Sequence, residues 1–243
     1  MPGNHVFLTD QLLDNVDLKL EDLRLDDSFS VNVVHRDNHS LVAASSYEGY
    51  PIQHWRNNNS AMILVEGMVY NYKHDQLKGT LNAIADQFCN RGQYEDLIRS
   101  FVDEADGEFI ILVLSSDNRL LVFNDYFGRL PYYYCTSNGW CIFSREVKFI
   151  LNCIPEIKFN KIGLAEFLMS EHTLGDDTLF SGVHWMMPAQ IMSVDSSPAI
   201  HLEKKISSVQ FECTLRSEFK TKQESIRVLR DGFDQSFKNR FNY

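Results

Sequence analysis

Between residues 106 and 143 the chain carries four short apolar runs divided by turn residues, and this pattern limits the fold more than any other feature. Residues 108–114 (EFIILVL) follow Asp106-Gly107, and Ser116-Asp117-Asn118 lead back into residues 120–123. Residues 132–135, a turn at Ser137-Asn138-Gly139, and residues 140–143 repeat the scheme. Such runs are too short for helices, rich in aromatic and branched side chains, and spaced for hairpins. They predict antiparallel sheet.

The flanks add further strands and some helices. Residues 30–34, 41–44 and the buried-looking AMILV at 61–65 read as strands, and 190–194 with 200–203 as a hairpin across Ser196-Ser197-Pro198. In 75–91, Leu77, Leu81, Ile84, Ala85 and Phe88 recur at helical spacing before Gly92. A second helix is expected over 94–104, and a short one from Ser144 as N-cap through Leu151 with Glu146 in its first turn. Asn160 caps a further helix, with Ile162, Ala165, Phe167 and Leu168 on its apolar face. Residues 204–223 are polar without a period and read as a linker. From Glu224 on, Ile226, Leu229, Phe233, Phe237 and Phe241 form an apolar stripe that suggests a missing neighbour. The expected class is α+β.

Composition excludes several functions. A net charge of -10 over 243 residues argues against an electrostatic grip on nucleic acid or an anionic membrane. The five cysteines (Cys89, Cys135, Cys141, Cys153, Cys213) show no CxxC spacing and build no zinc or iron–sulfur pattern. A reduced, cytoplasmic protein is expected, with no bound metal. Neither a signal peptide nor an apolar run of bilayer length is visible.

Five stretches, in one order, carry a family resemblance. Val65-Glu66-Gly67-Met68-Val69-Tyr70-Asn71 stands where the family has a strand and N-G-E-[IV]-Y-N. Asp106-Gly107-Glu108-Phe109 is similar to D-G-x-F. Asn124-Asp125-Tyr126-Phe127-Gly128-Arg129-Leu130-Pro131-Tyr132-Tyr133-Tyr134 is similar to R-D-x-x-G-x-[KR]-P-L-Y-Y. Phe143-Ser144-Arg145-Glu146-Val147-Lys148 follows F-x-S-E-[IV]-K, and Thr178-Leu179-Phe180-Ser181-Gly182-Val183 through Pro188-Ala189 follows T-L-F-x-G-[IV]. Together they resemble the class II glutamine amidotransferase domain of asparagine synthetases. The resemblance implies a four-layer αββα sandwich of the N-terminal-nucleophile hydrolase type over residues 1–203. It also implies a linker over 204–223, and over 224–243 the start of a helix leading to an ATP-binding domain. As motifs these stretches read first as fold determinants: Gly67 and Gly128 suit positive φ or close approach, and Asp106-Gly107 suits a turn.

The same resemblance implies that the glutaminase chemistry is lost. In the family a cysteine after the initiator Met attacks the amide, with its own α-amino group as base. Here that position is Pro2, which has neither thiol nor hydroxyl, and the first cysteine is Cys89. The oxyanion-hole Asn becomes Glu66, beside Gly67, and an ionised carboxylate only accepts hydrogen bonds. The residue holding the substrate amine becomes Met68. Its partner Asp falls near Thr80 and the carboxylate-binding Arg near Ser46. The chain therefore resembles the cysteine-less domains of β-lactam and carbapenam synthetases. The implied role is structural, as a homodimerising partner of a synthetase domain that would itself bind ATP and Mg²⁺, this chain needing no cofactor. Two alternatives stand beside it: a stand-alone binding or assembly module, and a working glutamine-hydrolysing asparagine synthase with another nucleophile.

Overall fold

The computed structural model describes residues 1–10, 12–13, 20–24, 26–137, 139–195, 201–206 and 221–241. These residues form two antiparallel six-stranded sheets with helices on their outer faces. The first sheet runs, edge to edge, β10 (Val183–Trp185), β8 (Tyr133–Ser137), β9 (Trp140–Ser144), β1 (Gly3–Thr9), β3 (Ser40–Ser46) and β2 (Ser30–Arg36). The second runs β12 (His201–Ile206), β11 (Gln190–Asp195), β7 (Leu120–Asn124), β6 (Gly107–Leu114), β5 (Met62–Val69) and β4 (Ile52–Arg56). The hairpins expected between residues 108 and 143 are present, one pair in each sheet.

Alternation along the strands divides the apolar side chains among three cores. Ile63, Val65 and Val69 of β5 face outward against Leu77, Leu81, Ile84 and Phe88 of α1 (His74–Cys89) and Ile98, Phe101 and Val102 of α2 (Glu95–Glu104). Met62 and Leu64, one residue out of phase, face the first sheet and meet Val6, Leu8, Val42, Tyr134 and Phe143. Leu41, Ala43 and Ile142 point to the far side, onto Phe149 and Ile150 of α3 (Val147–Cys153). The order of layers is therefore helix, sheet, sheet, helix. Each fully buried Leu, Ile or Phe contributes about 1.5–3 kcal/mol of transfer free energy, and the central strands are apolar on both faces for this reason.

Arg119 shows how a charge is used in this frame. It is buried where α1 ends, and donates from Nη1 to Phe88 O at 3.0 Å and from Nη2 to Cys89 O at 2.9 Å. Its Nε donates to Asp117 Oδ2 at 2.8 Å. The guanidinium thus satisfies carbonyls that a helix leaves open at its C-terminus.

Several expectations change. Ser144 closes β9 and does not cap a helix; α3 starts at Val147 with Glu146 at the cap position. Asn160 does cap α4 (Lys161–Ser170), its Oδ1 accepting from Ile162 N at 3.1 Å. The apolar face of α4, however, is not covered: Ile162, Phe167 and Leu168 are exposed and Gly163 is the helix's buried residue. Within the segment read as a linker, β12 runs to Ile206 and α5 (Lys222–Phe241) begins at Lys222. Residues 207–220, the turn at Ser196-Ser197-Pro198, Asn138 and Cys213 lie outside the described residues. The strands β1, β4 and β10 were not expected. In β1 the sequence GNHVFLT puts Asn4 and His5 in the interior, which breaks the apolar signal.

The stripe on α5 is present and faces solvent, with Phe237 and Phe241 stacked at 4.3 Å. The end of α5 is tied to the body by Arg240, which donates to Asp106 Oδ1 at 2.8 Å and lies over the Tyr70 ring. No helix among the described residues is long and apolar enough to cross a membrane.

Candidate functional site

The space between the sheets ends in a polar cluster around Glu66. Two-residue periodicity places this carboxylate on the same face of β5 as Met62 and Leu64, so it enters the inter-sheet core with no solvent exposure. A carboxylate in that position must be fully partnered or become neutral. It is partnered. Asn4 on β1 donates to Oε2 from its backbone N at 2.9 Å and from Nδ2 at 2.6 Å. Tyr50 donates to Oε1 from its hydroxyl at 2.6 Å. Arg145, just past β9, brings Nε to 3.0 Å from the same oxygen.

The cluster ties the two sheets together. Glu66 belongs to the second sheet, whereas Asn4 lies in a strand of the first and Arg145 follows one. Tyr132 extends the network, its hydroxyl donating to Asn4 Oδ1. Arg145 Nη1 donates to Pro131 O, while its Nε–H, though at ion-pair distance, does not aim along a hydrogen bond. A Cβ at Gly3 would collide with the aliphatic stem of Arg145, so the arginine occupies the space beside the first residue of β1. Burial pushes the Glu66 carboxyl above its ordinary range, and Arg145 with the Tyr50 and Asn4 donors pulls it back. Burial and the Glu66 charge raise the Tyr50 and Tyr132 hydroxyls, which stay protonated donors.

A second buried chain lies alongside. His5 Nδ1 is 2.8 Å from Ser144 Oγ, and Nε2 is 3.0 Å from Ser45 Oγ. Burial, above all, drives the His5 pKa down to about 3, so the ring is neutral. All three residues are buried, and a base out of reach of substrate serves packing rather than proton transfer.

The arrangement supplies little for nucleophilic chemistry. Burial pushes the Cys135 thiol up to about 11 and raises Cys141 and Cys89 as well, away from the reactive thiolate. Among the described residues no cluster of His, Cys, Asp or Glu could hold a metal ion.

The residues singled out in the sequence are only partly brought together. Glu66, Gly67 and Met68 are consecutive in β5, with Met68 opposite Glu108. Gly67 has φ +94°, and a Cβ there would strike the Glu108 carbonyl; Gly128 also has positive φ. Pro2 directly precedes β1. Ser46 ends β3, its carbonyl accepting from Ser30 Oγ at 3.2 Å. Thr80 sits in the helical layer on α1, hydrogen-bonded to Gln76 O at 3.1 Å. Asn4, Tyr50, Tyr132 and Arg145 were missed. One signal for Arg145 was present: in Phe143-Ser144-Arg145-Glu146 it stands at the Ser of F-x-S-E, a gained positive charge that matches the negative charge gained at Glu66.

A family profile described as a glutamine amidotransferase domain matches residues 38–204. No curated protein matches the chain. Among solved structures, glutamine phosphoribosylpyrophosphate (PRPP) amidotransferase from B. subtilis, complexed with ADP and GMP, is similar with a TM-score of 0.50 and 11% identity. The likeness covers 85% of this chain and 49% of that one, so the chain spans about half the length of that enzyme. At this identity it shows the fold, the sandwich of the N-terminal-nucleophile hydrolase type.

Proposed function

The chain belongs to the glutamine amidotransferase domain family, and from that premise we propose that it is a member that does not hydrolyse glutamine. The observation that carries this reading is the buried Glu66–Arg145 pair. Glu66 occupies the position that the motif resemblance gives to the oxyanion-hole Asn, and Arg145 fills the space next to it. A carboxylate there opposes the charge that develops on the amide oxygen, where catalysis needs a donor. Its neighbours Asn4 and Tyr50 direct their protons at Glu66 and are not available to a substrate.

The finer part of the proposal is an asparagine-synthetase relation, supported by the five motifs in family order between residues 65 and 189. In that role the domain is the structural partner of an ATP- and Mg²⁺-dependent amide-forming synthetase domain, as a homodimer in the cytoplasm. The solvent-facing stripe of α5 supports a further packing partner. An electrophilic glutamine analogue that alkylates amidotransferase nucleophiles tests the catalytic half. Intact mass should be unchanged after incubation, and a stoichiometric adduct contradicts the proposal.

A further inference from the structure

A pocket away from the Glu66 cluster has the make-up of a small-molecule site. Its volume is about 550 Å³, and Tyr133, Val147, Phe167, Phe180 and Trp185 are among the residues that wall it. Pockets of roughly 300–1,000 Å³ with aromatic walls and a few polar groups are where proteins take small ligands. The strands explain the aromatic content. Tyr134 points into the core between the sheets, so Tyr133, one residue out of phase, points to the outer side. Trp185 stands opposite Tyr133 in the register of β10 with β8. Val147 is contributed by α3, Phe167 by α4, and Phe180 by the segment between α4 and β10.

The polar groups of the lining decide the charge of the guest. The Thr173 and Thr178 hydroxyls already donate to the carbonyls of Asp177 and Val183, at 2.7 Å each. Arg129 sends its guanidinium to Gly107 O at 2.9 Å and over the Phe127 ring, and neither of those residues lines the pocket. His172 Nδ1 lies 2.6 Å from Ser170 O. A carbonyl only accepts, so in the neutral ring Nδ1 carries the proton and Nε2 remains an acceptor. The Asp177 carboxylate makes no hydrogen bond or ion pair with the described residues. The lining therefore combines four aromatic rings, a neutral acceptor and an unpartnered negative charge. A ring face attracts a cation through its quadrupole and a nearby carboxylate adds Coulomb attraction, whereas a neutral guest gains neither. The Tyr133 hydroxyl and the Trp185 indole N–H, also without partners among the described residues, are donors for an oxygen on the same guest.

We propose that this pocket binds a small organic ammonium, its cationic head among the rings of Tyr133, Phe167, Phe180 and Trp185 and its counter-charge Asp177. The pocket includes none of Glu66, Asn4, Tyr50, Tyr132 and Arg145, so ligand binding and the loss of glutaminase chemistry are tested separately.

Isothermal titration of the full chain with two probes of one shape tests the proposal. Choline carries the charge, and 3,3-dimethylbutan-1-ol has the same outline and hydroxyl without it. Choline should bind saturably and the alcohol about tenfold more weakly. Asp177→Asn should weaken choline several-fold and leave the alcohol unchanged, and Trp185→Leu should reduce the preference for choline. Both side chains are half-buried, so the far-UV spectra of these variants should match wild type. Equal affinity for the two probes overturns the proposal, as does the absence of saturable choline binding to the wild-type chain.

Discussion

Arg145 Nε lies 3.0 Å from Glu66 Oε1 across the gap between the two sheets, and both side chains are sealed from solvent. Removing one partner of such a pair leaves a buried charge uncompensated, which costs about 3–5 kcal/mol. Urea denaturation should therefore show Glu66→Ala and Arg145→Ala each strongly destabilised. The double variant Glu66→Ala with Arg145→Ala should be distinctly less destabilised than the sum of the two singles. Additive effects would show that the two charges do not act as a pair.

The neutral, buried His5 sets a pH dependence. Its folded pKa of about 3 lies below the ordinary value of 6.5. Between these values the unfolded chain binds a proton that the folded chain refuses. The stabilisation is then complete above about pH 6.5 and lost as pH falls toward 3, at about 1.4 kcal/mol per unit inside the window. His5→Gln should flatten that slope in denaturation curves from pH 7 to pH 4. An unchanged slope would place the acid sensitivity on other groups.

Gly67 permits close contact of β5 with β6. With φ +94° and the Glu108 carbonyl in the space of a Cβ, Gly67→Ala combines backbone strain with a clash. The expected loss is about 3 kcal/mol or more, against about 1 kcal/mol for Gly→Ala where only positive φ is at stake. A melting temperature equal to wild type would contradict the geometry.

These residues also mark how far the sequence could be read. The hairpins from Glu108 to Phe143 and helix α1 were legible because their apolar residues repeat with the period of the element that buries them. Strand β1 was not, because Asn4 and His5 are polar residues inside the core, and only their partners on distant segments explain them. The Glu66 position was visible as a departure from a motif. Its partners Asn4, Tyr50, Tyr132 and Arg145 come from four separate segments, and no spacing along the chain links them. The apolar residues of α4 were legible, but their exposure was not, since period alone does not say what covers them.

The tether of α5 predicts a local effect. Arg240 and Asp106 are each about 29% exposed, so their bidentate contact contributes about 1 kcal/mol or less. Arg240→Ala should speed amide exchange in α5 while the melting temperature of the sandwich holds. A drop in global stability would mean that α5 belongs to the same cooperative unit.

The most direct test of the proposed loss of glutaminase activity is release of glutamate from glutamine by the purified chain, with its N-terminus confirmed by mass spectrometry. With the Glu66–Arg145 pair at the position that the resemblance gives to the oxyanion-hole donor, release should not exceed that of a heat-inactivated sample. Sustained turnover above that level would contradict the account and show that a working nucleophile is assembled in this fold.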